Sequence, residues 1–167
     1  MEIEWIIATN ILVWVVLQLG AAWAFTRMPG DWFDRHWTST NSTGVRIYEQ
    51  IFRIKVWKDR LPDGATWFAG GVAKSKLGSV NNHAVSIKIR ETWRGELCHW
   101  TVIGFLPLFV IWNPWWGVLI NAFYVIVANL PCILVQKYNR VRLLHLASRL
   151  RRIANHGDPH AEHFSDP

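Results

Sequence analysis

The sequence predicts an all-α integral membrane protein, with one N-terminal transmembrane helix and a later hydrophobic helical hairpin, three spans in total. Three observations carry this. Residues 5–25 hold no charged side chain, residues 97–135 hold only His99 among the acids and bases, and all eighteen Lys and Arg fall outside both blocks. The mean hydropathy of +0.10 looks polar only because the apolar residues, 51% of the chain, are segregated. Twelve tryptophans in 167 residues are an unusual load for a water-soluble fold of this size. A formal net charge of +6 often signals nucleic acid. Here the cations flank apolar spans, so anionic lipid headgroups are the expected partner and nucleic acid is not.

Taken in order, residues 5–25 rise about 30 Å as a helix, the thickness of a bilayer core. Trp5 and Trp23 sit near its ends, where indoles favour the headgroup level. The acids in Met1-Glu2-Ile3-Glu4 and the lack of a small-residue cleavage site argue against a removable signal peptide. Residues 26–96 form a cytoplasmic or interfacial segment. Within it Ile47, Ile51, Phe52 and Ile54 fit an apolar stripe of a helix lying on the membrane, although alternation over residues 52–56 fits a strand as well. Leu61-Pro62-Asp63-Gly64 reads as a turn and Gly70-Gly71 as a loop. Residues 83–96, after N-cap candidates at 79–82, read as a helix feeding the hairpin.

The hairpin comprises residues 97–112 and 115–135, joined at Trp112-Asn113-Pro114-Trp115-Trp116 by a turn that proline and asparagine favour. Its first arm covers only about 24 Å, so it must begin earlier or dip in without fully crossing. Either way the chain returns to one side. Residues 137–154, with Leu143, Leu144, Leu146 and Leu150 among arginines, suggest a basic amphipathic helix on the inner surface, and 155–167 a flexible tail. Twelve of the cations lie between Arg27 and Arg94 and the other six between Lys137 and Arg152. The positive-inside rule then places the N-terminus outside and the C-terminus in the cytoplasm, for a multi-pass cell-membrane protein. Cys98 and Cys132 lie in apolar stretches and read as plain buried thiols.

Residues able to carry chemistry collect where the hairpin meets the inner interface: Glu91, Arg94, Glu96 and His99 entering, Asn129, Gln136, Tyr138, Asn139 and Arg140 leaving. Glu96 and His99, three apart, share one helical face, and an antiparallel hairpin brings His99 to within about a turn of Asn129 in depth. Ionisable groups at membrane depth usually mark function. A catalytic or ligand-binding pair is one reading; an interfacial anchor formed with Arg94 is the bland one. A dimetal carboxylate site wants Glu-x-x-His twice, and it occurs once. His156, His160 and His163 read as solvated tail residues, and Arg27 and Arg35 as topology signals. No metal or cofactor is expected.

The set Glu91-Thr92-x-Arg94-x-Glu96-x-x-His99-Trp100, Asn121-x-Phe123-Tyr124, Ala128-Asn129-x-Pro131 and Gln136-x-Tyr138-Asn139-Arg140-x-Arg142-Leu143 resembles the glycosyl-4,4'-diaponeurosporenoate acyltransferases, which finish staphyloxanthin-type carotenoids. Thr26-Arg27-x-Pro29, Trp57-Lys58 and Asp63-Gly64 extend the likeness over most of the chain. Val141 stands where the family pattern leads one to expect proline, leaving the last helix free to continue. The resemblance implies transfer of a fatty acyl group, from acyl-CoA or a similar donor, to a sugar hydroxyl of a membrane glycolipid. In that reading His99 takes the hydroxyl proton, Glu96 orients the imidazole, and Asn129 and Arg94 donate to the developing oxyanion. Arg140 and Arg142 hold a phosphate of the donor, with Glu91, Gln136, Tyr138 and Asn139 completing the substrate contacts. Three spans are too few to enclose two lipid substrates, so a homo-oligomer is expected. The alternative function is a non-catalytic membrane scaffold or a lipid-binding accessory subunit.

Overall fold

The computed structural model describes residues 2–33, 48–58 and 82–156, and among these every regular element is helical. Helix α1 (Ile3–Arg27) is followed by a 3-10 turn (Gly30–Phe33), and a single helical turn, α2, spans Ile54–Trp57. Helix α3 (Asn82–Gly104) leads through a second 3-10 segment (Leu106–Ile111) into α4, which runs from Trp115 to His156. Three helical stretches are long and apolar enough to cross a membrane: Ile3–Arg27, His83–Ile111 and Trp115–Arg152.

Helix α1 is apolar over most of its circumference, with Asn10 and Gln18 as polar exceptions on one face. It buries only Trp14 and Ala21, leaving Ile7, Ile11, Leu12, Val15, Val16 and Leu19 facing outward. Such a surface calls for hydrocarbon around it. What ties α1 to its neighbours is polar. Asn10, Trp14 and Gln18, spaced four apart and so stacked on one face, bond to Asn113, Asn121 and Tyr124 respectively. Asn10 Oδ1 also accepts from Trp112 Nε1 at 2.7 Å, and Trp14 stacks on Phe109 with ring centres 4.2 Å apart. Since the paired numbers rise together, α1 and α4 run parallel, while α3 runs antiparallel to both. We call the two ends of the bundle the turn end, at Asn113, and the basic end, where the cations lie.

The main seam is between α3 and α4. Gly95 permits their close approach: a Cβ there would come within 2.7 Å of Gln136 Nε2. Toward the turn end the core is Trp14, Ala21, Val102, Phe109 and Val125. Toward the basic end Val85, Ile89 and Ala147 pack with Trp93, Leu143, Leu144, Leu146 and Leu150.

One expectation is decided here and two change. Of the two readings of the hairpin's first arm the earlier start holds: the residues before 97 belong to the same helix, α3 from Asn82, which with the 3-10 segment supplies the missing length. The basic stretch 137–154 is no separate surface helix: α4 continues unbroken through Pro131 and Val141, and its leucines pack on α3. Pro131 is accommodated although it removes one helical hydrogen bond. Around residue 53 neither the long stripe nor the strand forms. Arg53 adopts φ 45°, in the left-handed region, and interrupts the chain before α2. Ile54 is therefore fully buried against Val135 and Tyr138, while Ile51 and Phe52 are exposed. Ile47, Arg35, the turn at 61–64, Gly70-Gly71, the caps at 79–81, the side chain of Asn82 and that of His156, and the tail lie outside what is described.

Candidate active site

Two polar centres lie along the α3–α4 seam. In the first, His99 Nδ1 is 2.8 Å from Asn129 Oδ1. The orientation of the Asn129 amide follows from its other end, because Nδ2 donates to the Val125 carbonyl at 2.9 Å. Turning the amide over would set two oxygens against each other, so Oδ1 must face the ring. Oδ1 can only accept; His99 Nδ1 therefore carries the proton and Nε2 keeps its lone pair. Asn129 is 2% exposed and His99 half-buried, so the amide end of the pair is shielded from competing water.

The second centre lies one turn toward the basic end. Glu96 Oε2 accepts from Arg140 Nη2 at 2.5 Å, and Oε1 receives Trp100 Nε1 at 3.3 Å with Lys137 Nζ at 3.5 Å. Glu96 is 5% exposed and Arg140 9%. The guanidinium carbon of Arg140 lies 3.7 Å from the Trp93 ring centre, so one edge is held by a carboxylate and one face by an indole.

The remaining predicted site residues disperse. Arg94 pairs with Glu91 at 2.8 Å, donates to the Met28 carbonyl at 3.0 Å, and lies over the Phe33 ring. It straps the end of α1 to α3, beside a second strap from Arg90 to Asp31 at 3.0 Å. Tyr138 donates to Glu49 at 2.9 Å and packs edge-on against Tyr48, anchoring the 48–58 segment to α4. Arg142 is exposed above the Tyr138 ring, Gln136 lies against Gly95, and Asn139 is half-buried. Thus His99, Glu96, Asn129 and Arg140 stay in the site, while Arg94, Glu91 and Tyr138 are structural ties.

One role is reassigned by these contacts. Glu96 does not orient the imidazole, since its oxygens are engaged by Arg140, Lys137 and Trp100; Asn129 takes that task instead. Its Oδ1 faces the ring, and one N–H of Nδ2 is spent on the Val125 carbonyl. Trp93, Trp100 and Lys137 join the site without having been singled out for it. Helical spacing from Glu96 could have flagged both indoles, at minus three and plus four. Lys137 carried no local signal beyond its charge. Among the described residues no group of three His, Cys, Asp or Glu gathers to hold a metal ion.

Comparison with known proteins places the chain in a family. The family model for glycosyl-4,4'-diaponeurosporenoate acyltransferase matches residues 29–149, which include both polar centres. Curated relatives of that name from Staphylococcus aureus strains USA300 and Newman are 33% identical over 147 residues, covering 84% of this chain and 87% of the relative. The relative from strain N315 is 32% identical over the same length. No solved structure matches significantly. With most of its length matched, and His99, Glu96, Asn129 and Arg140 inside the matched region, the chain belongs to the glycosyl-4,4'-diaponeurosporenoate acyltransferase family.

Proposed function

We propose that this acyltransferase moves a fatty acyl group from an acyl thioester to a sugar hydroxyl of a membrane glycolipid such as a glycosylated carotenoid, with His99 as general base. The observation that carries the reading is the oriented Asn129 amide, which leaves Nε2 of His99 as the free lone pair. The sugar oxygen bonds to the thioester carbon as its proton passes to Nε2, and the carbonyl π pair moves onto oxygen. When that pair returns, the carbon–sulfur bond breaks and the imidazolium gives its proton to the departing thiolate. Asn129 holds the ring throughout; no cofactor is needed beyond the donor.

The relatives' name supports a glycosylated carotenoid as acceptor, and the apolar surface of α1 suits substrates that partition into a leaflet. In this reading the basic end is cytoplasmic, the turn end outside, and copies of the chain associate to enclose the two lipid substrates. Purified protein in nanodiscs, given a long-chain acyl thioester and a glucosylated carotenoid acid, is expected to form an ester detectable by mass spectrometry. No ester under any donor would overturn the proposal and favour a non-catalytic scaffold.

A further inference from the structure

We infer that Arg140 presents a built site for a negatively charged oxygen of the acyl donor, through its second terminal nitrogen, Nη1. The ligand's identity rests on the acyl-transfer reading above; the existence of the site rests on geometry alone. Arg140 Nη1 is buried and finds no acceptor among the described residues. The rest of the side chain is immobilised. Its Nη2 is bound to Glu96 at 2.5 Å, its face rests on Trp93 at 3.7 Å, and only 11% of the side chain is exposed. A guanidinium held on one edge and one face cannot swing away to water, so the unpaired N–H is a standing cost unless something arrives to accept it.

Charge says what arrives. Lys137, its side chain 37% exposed, and the buried Arg140 both lean on the single carboxylate of Glu96, leaving one positive charge in excess around a buried carboxylate. That complements an anionic oxygen, not a further donor. Arg142, exposed over the Tyr138 ring, has none of this preorganisation. Glu96, which holds the other terminal nitrogen of Arg140, is about one helical turn from His99 on the same face. A thioester donor offers two such oxygens. One is its carbonyl oxygen, which becomes anionic as the sugar oxygen adds to carbon and the π pair moves onto it, the proton resting on His99. The other is a phosphate of its carrier. Arg140 donates the same hydrogen bond to either.

The test compares wild type with Arg140→Met and with Glu96→Gln/Arg140→Met, in which the buried carboxylate is neutralised together with its partner so that no lone charge unfolds the protein. Kinetics give kcat and donor KM; calorimetry gives binding of coenzyme A and of a long-chain alkylphosphonate, a tetrahedral anion. A fall in kcat of about a hundredfold or more, with donor KM kept and phosphonate binding lost, supports the site and identifies the carbonyl oxygen. A rise in donor KM with kcat kept and coenzyme A binding lost supports it and identifies the carrier phosphate. A folded double variant with unchanged kcat, KM and binding of both probes overturns it. Should wild type form no ester, the acyl-transfer reading fails separately, and the two titrations still decide the site: binding lost on substitution supports it, and binding unchanged or undetectable even in wild type overturns it.

Discussion

The imidazole of His99 is oriented by an asparagine and not by a carboxylate: Nδ1 lies 2.8 Å from Asn129 Oδ1, whose amide is fixed by the Val125 carbonyl. A neutral partner sets the tautomer without adding charge to the apolar seam. In the proposed mechanism His99 is the base, so His99→Ala is expected to lower kcat by about a hundredfold or more while the protein stays folded. Asn129→Ala lets the ring rotate and exchange tautomers, so kcat falls by a smaller factor with acceptor KM little changed. Steady-state ester formation, alongside size exclusion, checks both. Near-normal turnover in a folded His99→Ala protein would sink the assignment.

The Glu96–Arg140 pair is buried on both sides, which makes its halves interdependent. Glu96→Gln alone leaves a buried guanidinium without its counter-charge and should destabilise by about 3–5 kcal/mol, as should Arg140→Met alone, whereas Glu96→Gln/Arg140→Met should recover much of that loss. Thermal unfolding in detergent measures the cycle. Additive losses would show that the two groups act independently.

Gly95 sets the distance between α3 and α4. Gly95→Ala meets first the Nε2 end of Gln136, a flexible group able to move, and should cost only about 1 kcal/mol. Gly95→Leu has no such escape and should push the helices apart, abolishing ester formation even though residue 95 touches no substrate. Partial rescue of Gly95→Ala by Gln136→Ala would confirm the contact as the cause.

Acid should release the segment carrying Ile54. Lys55 holds the Glu49 carboxyl below the ordinary carboxylate range, with the Tyr138 hydroxyl adding to the effect. A carboxyl lowered in the folded state stabilises docking above its unfolded value, and that contribution is lost as pH falls through the folded value. Hydrogen exchange over residues 48–58, corrected for intrinsic rates, is therefore expected to quicken below about pH 4. Glu49→Gln should remove the pH dependence. A wild-type segment equally protected at pH 7 and pH 3 would contradict this.

The proposed orientation rests on charge placement and is open to direct labelling. Single cysteines at Ser75 and Ser148, in a background lacking Cys98 and Cys132, should resist impermeant maleimide in intact cells and react after lysis. Labelling of Ser148 from outside would reverse the topology.

How much of this could be read without coordinates depends on the range of the interaction. Uncharged runs at 5–25 and 97–135 and the confinement of Lys and Arg to two segments are local properties, and they dictate three apolar helices because backbone groups in hydrocarbon must bond within their own segment. The antiparallel hairpin followed from Asn113-Pro114, and with it the depth match that brings His99 to Asn129. Continuity of α4 past Gln136 into the basic stretch was less accessible, since the packing of Leu143 and Leu150 on Val85 and Ile89 decides it from the other side of the seam. The same holds for partner choice. Glu96 and His99 share a face, so spacing alone makes them a pair, yet Arg140 reaches Glu96 from eleven residues beyond Asn129 and outcompetes the imidazole through charge. The helices and the neighbourhood of the site were thus determined by sequence periodicity. Which acceptor each buried donor found, and that Arg140 Nη1 found none among the described residues, was decided only when the seam between α3 and α4 closed, because a hydrogen bond is settled over a few ångströms that helical spacing does not resolve.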